Sequence, residues 1–108
     1  MKNTNIFIDV DLTLVDAQGL LLEGAREALQ RFQDEGCHLF LWSSVGVEYC
    51  RKVAALHKLT DFFEGYSSKP DIIIDDMPST TRAPFVYNIQ EEKSWPALAE
   101  LIVDKHID

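Results

Sequence analysis

Two aspartates separated by one residue follow an apolar segment near the start of the chain, in the sequence IFIDVD at residues 6–11. The apolar run is typical of a strand buried on both faces. Residues i and i+2 of an extended segment point to the same side, so Asp9 and Asp11 are expected to face one point. Two carboxylates in such a position call for a cation or a shared proton.

Two further predicted strands end in polar residues. Residues 38–42 and 71–74 are apolar runs of strand length, and each is followed by a pair of polar side chains. Because ligands of open α/β sheets bind at the carboxyl ends of the strands, we expect these side chains to share one edge with Asp9 and Asp11. They comprise two hydroxyls, two carboxylates and a preceding ammonium group: Ser43, Ser44, Asp75, Asp76 and Lys69.

This set of side chains predicts phosphoryl chemistry. Carboxylates are hard oxygen ligands, and Mg²⁺ is commonly held by a few carboxylates together with substrate phosphate. Lysine and serine side chains are suited to phosphoryl oxygens. A carboxylate beside a metal can attack phosphorus, and a second carboxylate can exchange protons with the leaving group and water.

The rest of the chain alternates strand and helix patterns. Apolar spacing predicts a helix at residues 24–34, with Ala25, Ala28, Leu29 and Phe32 on one face and Gly36 as its stop. It predicts a second helix at residues 47–59, with Tyr49, Val53 and Leu56 on one face, and Ser94 is expected to cap a last helix. The predicted strands cover residues 6–10 and 38–42, a short strand that begins at residues 62–63, and residues 71–74 and 84–89. The alternation predicts one α/β domain spanning residues 1–108, a three-layer α/β/α sandwich with a mostly parallel, Rossmann-like sheet.

Composition narrows the class of protein. The 108 residues are 46% hydrophobic and 26% charged, with a net charge of −8, which argues against non-specific nucleic-acid binding. No apolar run reaches membrane-spanning length and no secretory leader is apparent, so we expect a cytoplasmic protein without a membrane partner. Cys37 and Cys50 form no metal-binding spacing and are expected to be reduced residues in or near the core.

Four segments resemble the motifs of the haloacid dehalogenase-like superfamily, in the same order along the chain. They are IFIDVDLTL at residues 6–14, LFLWS at 39–43, Lys69-Pro70, and IIIDD at 72–76. The resemblance covers nearly the whole chain and implies a haloacid dehalogenase-like fold. In that family the first motif supplies an aspartyl nucleophile, which implies that Asp9 forms an aspartyl-phosphate and that Asp11 is the general acid/base. An acid at position 11 favours the phosphatase branch.

The resemblance also implies a phosphate site and a Mg²⁺ site. Thr13 would orient the first loop beside the phosphoryl group, Ser43 would hold a phosphoryl oxygen, and Lys69 would neutralise the transferring group. Ser44 is the alternative hydroxyl, and the sequence leaves the choice between the two serines open. The implied metal ligands are Asp9, the backbone carbonyl of Asp11, Asp76 directly, and Asp75 beside it or through water.

Two departures from the family pattern affect the expected substrate. Only two residues separate Lys69 from the apolar run at 72–74, so Lys69 must enter from a loop that leads directly into that run. Neither residues 14–23 nor residues 45–68 are long enough for a cap domain, which predicts a small phosphatase with an open site. An open site suits a phosphoprotein, a nucleic-acid end or a bulky phosphoester. Alternatively, a second subunit of a homo-oligomer could cover the site.

Other functions fit parts of the same pattern. A non-catalytic module could bind Mg²⁺ and phosphate, or a partner protein, through the same edge of the sheet. A receiver domain uses similar residues in a different order, and a mutase would transfer phosphate to an acceptor other than water. The single residues also have ordinary interpretations, as turn aspartates, helix-capping serines and a solvated loop lysine.

Overall fold

The computed structural model describes residues 3–74, 76, 85–92 and 94–107. It is an α/β fold with a small parallel sheet. The strands and helices are β1 (Asn5–Asp9), α1 (Ala25–Asp34), β2 (His38–Ser43), α2 (Val47–Leu56), β3 (Phe63–Ser68), α3 (Ile89–Glu92) and α4 (Trp95–Ile102). A 3₁₀ turn at Thr60–Phe62 precedes β3, and a π-helical turn at Val103–Ile107 follows α4. None of the helices in these ranges has the length and apolar character needed to cross a membrane.

The described sheet has three parallel strands in the order β1-β2-β3. Asp9 lies opposite Trp42, and Ser43 lies opposite Ser68. The carboxyl ends of all three strands therefore meet at one edge of the sheet, as the sequence predicted for β1 and β2. This edge is called the carboxyl edge below.

One face of the sheet carries the core. Alternate residues of β2 are buried, and both α1 and α2 pack against this strand. The fully buried side chains of this core include Leu39, Leu41, Phe32 and Cys50. Burial raises the pKa of the Cys37 and Cys50 thiols, as expected for protonated core residues.

The opposite face of the sheet carries aromatic rings that solvent partly reaches. Phe7 and Phe40 stack with their ring centroids 4.8 Å apart, and Trp42 lies 5.1 Å from Phe7. The exposed fraction of Phe7 is 50%. A half-exposed aromatic cluster on a sheet is an apolar surface that a further layer could cover.

The predicted helix signals are confirmed at α1 and α4. In α1 the four residues expected on the inner face, Ala25, Ala28, Leu29 and Phe32, are all buried. The helix ends at Asp34, and Gly36 follows with a φ of +84°; the amides of Gly36 and Cys37 donate to carbonyls of the last turn. At α4 the Ser94 hydroxyl accepts a hydrogen bond from the Ala97 amide, as a helix cap should.

The predictions of strands at 71–74 and 84–89 are wrong for the described residues. Residues 72–74 have no regular structure, and their isoleucines are 81%, 50% and 94% exposed. Residues 85–88 also lack regular structure, and Ile89 begins α3. An apolar run forms a strand only where a partner strand supplies hydrogen bonds, and the described sheet ends at β1.

The prediction for α2 is confirmed in part: Val53 is buried and Tyr49 packs against the core, but the end of the helix and the position of Leu56 were predicted incorrectly. The helix ends at Leu56 rather than at residue 59, and the Leu56 side chain is 73% exposed. The buried residues of the helix are Cys50, Val53 and Ala54. Lys58 takes a left-handed conformation with φ +58° just after the helix, which turns Leu59 into the core.

Strand β3 begins at Phe63, where the sequence predicts the start of a short strand, and it runs to Ser68. Its sequence FEGYSS has little apolar character, so it gives a weak strand signal. Gly65 makes room for the Phe40 ring of the neighbouring strand, since a Cβ there would lie 3.1 Å from Phe40 Cδ1. The strand carries the chain to the carboxyl edge, where Lys69 follows directly.

Candidate active site

The Asp9 carboxylate lies at the end of β1 and contacts two of the predicted site residues. Lys69 Nζ is 3.3 Å from Asp9 Oδ1, and the Thr13 hydroxyl donates a hydrogen bond of 3.3 Å to Asp9 Oδ2. The side chains of Asp9 and Lys69 are 33% and 38% exposed, so solvent or a ligand can reach the pair. The structure thus brings Asp9, Thr13 and Lys69 together.

Lys69 reaches this position because it continues β3 at the carboxyl edge. Its backbone amide donates to the Ser43 carbonyl at 3.0 Å, which holds it beside the end of β2. Its ammonium group also lies 5.6 Å from the centre of the Trp42 ring, within the range of a cation–π contact. Lys69 therefore enters the site directly from the end of β3.

The loop after β1 is tightly folded around one carbonyl. The amides of Thr13, Leu14 and Val15 all donate to the Val10 carbonyl, at 3.3, 2.9 and 3.2 Å. Leu12 has a φ of +58°, a conformation that non-glycine residues seldom adopt. Such backbone persists only when its surroundings hold it.

The C-terminal part of the chain holds this loop from outside. Gln90 Nε2 donates to the Leu12 carbonyl at 2.7 Å, and Trp95 Nε1 donates to the Thr13 carbonyl at 2.9 Å. Trp95 is itself buried at the start of α4. Residues about eighty positions away in sequence therefore fix the loop that carries Asp11 and Thr13.

The two serines at the end of β2 have different surroundings. Ser43 is only 2% exposed, and its hydroxyl accepts a hydrogen bond of 3.0 Å from the Val45 amide. Ser44 is the next residue and is exposed. Both remain candidates for binding a phosphoryl oxygen, since Ser43 is at the predicted register and Ser44 is the more accessible.

Asp11 is exposed on the loop and accepts a hydrogen bond from the Tyr49 hydroxyl. Tyr49 lies in the first turn of α2, so this contact joins the helix to the loop across the carboxyl edge. The hydrogen bond to Asp11, together with partial burial and nearby negative charge, raises the pKa of Tyr49 to about 12. The phenol therefore stays protonated and remains a donor at neutral pH.

Among the described residues, the predicted metal ligands Asp9, Asp11 and Asp76 do not form one group. Asp76 is exposed, and Asp75 lies outside the described residues. In the described ranges, no set of three or more histidine, cysteine, aspartate or glutamate side chains converges on one point. The carboxylates that the structure does place at the carboxyl edge are those of Asp9 and Asp11.

The site is open. The loop from residue 10 to 24 and the segment from residue 44 to 62 contain no inserted domain, only short bridges, α2 and the 3₁₀ turn. A recess in the described part of the chain lies between α1 and the start of α4, around Gly24 and Pro96. Asp9 lies apart from this recess, on the carboxyl edge, and its side chain is 33% exposed.

Sequence reasoning missed the three residues that hold the loop. The helical pattern predicts Tyr49 on the inner face of α2, while Gln90 and Trp95 give no functional signal. A Trp at the first position of a capped helix is usually a core residue, and its ring nitrogen needs a partner when buried. That requirement is the only clue the sequence contains to the Trp95–Thr13 contact.

Comparison with known proteins leaves the family unassigned. No protein-family model matches the chain, and a search of the curated proteins finds no match. A functional assignment therefore rests on the fold, the sequence motifs and the contacts around Asp9.

Proposed function

We propose that this protein is a Mg²⁺-dependent phosphatase that acts through an aspartyl-phosphate on Asp9. The observation that carries the proposal is the placement of Lys69 and Thr13 on the two oxygens of the Asp9 carboxylate. A cation and a hydroxyl beside an accessible carboxylate are groups that can hold a phosphoryl group in line for attack. The resemblance of the motifs to haloacid dehalogenase-like phosphatases supports the same reaction.

The proposed reaction has two steps. An oxygen of Asp9 attacks phosphorus while the bond to the leaving oxygen breaks, and Asp11 gives that oxygen a proton. Water then attacks the phosphorus of the aspartyl-phosphate and loses a proton to Asp11, which releases phosphate and restores the Asp9 carboxylate. Lys69 and a serine hydroxyl from Ser43 or Ser44 offset the charge on the phosphoryl oxygens.

The chemistry of the available donors fits Mg²⁺. The Asp9 carboxylate and the Asp11 carbonyl are hard oxygen ligands, and substrate phosphate would add another. Asp76, with Asp75 beside it or acting through water, completes the proposed set. When bound, Mg²⁺ would supply positive charge to the phosphoryl oxygens.

We further propose the three-layer form of the fold, with a layer over the aromatic face formed by Phe7, Phe40 and Trp42. Half-exposed rings on this face and exposed isoleucines at 72–74 are apolar surfaces that gain by being covered. Hydrogen–deuterium exchange tests this arrangement. Slow exchange of the amides at 72–74 supports it, and exchange at the rate of an unfolded peptide rejects it.

The open site favours a large phosphorylated substrate over a small metabolite, because no lid within the described ranges encloses the bound group. A phosphoprotein, a nucleic-acid end and a bulky phosphoester all meet this condition. In a homo-oligomer, a second subunit could supply the cover instead.

Hydrolysis of p-nitrophenyl phosphate tests the proposed reaction. We expect turnover with Mg²⁺ and a loss of at least about a hundredfold after chelation with EDTA, because charge neutralisation is most of the proposed catalysis. Restored activity on adding Mg²⁺ back is the control for irreversible damage. Binding of Mg²⁺ without turnover of this or any other phosphoester would instead support a non-catalytic module.

A further inference from the structure

Tyr49 lies at the proposed site, although neither the motifs nor the proposed reaction uses it. It extends from the first turn of α2 across the carboxyl edge, and its hydroxyl donates to Asp11 Oδ1. The two residues are 38 positions apart in sequence, so the contact depends on the tertiary fold. Asp11 accepts this bond through one oxygen, and its other oxygen is the one that could meet a substrate.

Tyr49 lies on a helix that packs against the sheet, whereas Asp11 lies on the loop after β1. Helix α2 buries Cys50, Val53 and Ala54 against the sheet. At its other end, the Arg26 guanidinium donates to the carbonyls of His57 and Lys58. A side chain on a packed helix is placed more precisely than one on a loop, so Tyr49 is the fixed partner of the pair.

We propose that Tyr49 is a positioning residue that holds the Asp11 carboxyl group in the orientation needed to give a proton to the leaving oxygen. This inference rests on the proposed phosphatase function. Tyr49 acts through Asp11 and does not itself touch substrate.

The physical consequence is a dependence on the leaving group. A weakly basic leaving group, such as p-nitrophenolate, departs without a proton, whereas a basic one needs general acid catalysis. If Tyr49 aligns Asp11, then loss of the Tyr49 hydroxyl slows the hydrolysis of substrates with basic leaving groups more than the hydrolysis of those with weakly basic ones. A purely structural role for Tyr49 would slow all of them by the same factor.

The test is a series of para-substituted phenyl phosphates assayed with wild type and Tyr49→Phe. We expect kcat/KM for unsubstituted phenyl phosphate to fall about tenfold, since a misplaced catalytic group can cost up to about a hundredfold. The value for p-nitrophenyl phosphate should fall less than about threefold, so that the dependence on leaving-group basicity becomes steeper. Tyr66→Phe is the matched control, because it removes a hydroxyl from a half-buried tyrosine on β3.

A double-mutant cycle distinguishes positioning of Asp11 by Tyr49 from a nonspecific disturbance of the structure. In an Asp11→Asn background, Tyr49→Phe should have almost no further effect, because the group it positions is gone. An unchanged leaving-group dependence in Tyr49→Phe, or full additivity with Asp11→Asn, would overturn the inference while leaving the phosphatase proposal intact. Failure of wild type to cleave any member of the series would reject the phosphatase proposal, and the role of Tyr49 with it.

Discussion

Replacing Asp9 with asparagine is expected to lower kcat/KM for p-nitrophenyl phosphate by about a thousandfold or more, as for loss of other enzymatic nucleophiles. The amide has nearly the same shape as the carboxylate but cannot form the aspartyl-phosphate. It also removes the negative charge that Lys69 contacts at 3.3 Å. Both changes act on the reacting group itself, which is why the expected effect is larger than for any other substitution at the site.

The fold should tolerate this substitution. The Asp9–Lys69 pair is about one-third exposed, and ion pairs of this kind change the free energy of unfolding by less than about 1 kcal/mol. Urea unfolding followed by circular dichroism checks this point. Asp61→Asn is the matched control for activity, because Asp61 is exposed and precedes β3, at the opposite edge of the sheet. An Asp9→Asn protein with more than about a tenth of wild-type activity would reject Asp9 as the nucleophile.

The substitution Gly24→Ala is expected to lower the free energy of unfolding by about 2–4 kcal/mol. Gly24 has a φ of +81°, which costs an alanine about 1–2 kcal/mol. A Cβ at this position would also lie 2.7 Å from Pro96 Cδ and 2.9 Å from Pro96 Cγ. The ring of a proline in a helix cannot move aside easily, so α1 and α4 would have to separate.

Gly19→Ala is the matched control for this prediction. Gly19 has nearly the same φ, +83°, but a Cβ there would meet nothing within 4 Å. Gly19→Ala should lower the free energy of unfolding only by the cost of a positive φ for alanine, about 1–2 kcal/mol. Urea denaturation of both variants measures the difference between their losses of unfolding free energy. That difference is the contribution of the close packing of α4 on α1. Equal losses of stability in the two variants would show that Gly24 and Pro96 are not in close contact.

Gly24→Ala should also change the geometry of the candidate site. Helix α4 carries Trp95, whose ring nitrogen donates to the Thr13 carbonyl. A shift of α4 away from α1 would loosen the loop after β1 and thereby move Thr13 relative to Asp9. Stability and placement of the catalytic loop are thus linked through the same helix contact.

Local patterns were sufficient for the elements that bury one continuous face. The apolar runs of β1 and β2, the spacing of Ala25, Leu29 and Phe32 in α1, and the Ser94 cap all predicted structure that is present. These features are decided by neighbouring residues, because helical periodicity and capping act within a turn or two. They also predicted that Asp9 and Ser43 would lie at one edge of the sheet.

The same kind of pattern failed where the outcome depended on distant partners. Residues 72–74 have the pattern of a buried strand, yet they are exposed and unpaired with the described sheet. Strand β3 has a weak signal, yet it forms because β2 offers a hydrogen-bonding edge and Gly65 accommodates Phe40. Strand formation requires a partner, and no local pattern specifies which partner is available.

The sequence by itself therefore determined that a strand ends beside the acids at positions 9 and 11, and it indicated the chemistry these acids could support. Only the tertiary structure decided which groups meet those acids. Lys69 reaches Asp9 by following β3, and Tyr49 reaches Asp11 from α2. Both contacts join residues that are far apart in the chain, so they arise from the packing of strands and helices and not from the order of neighbouring residues.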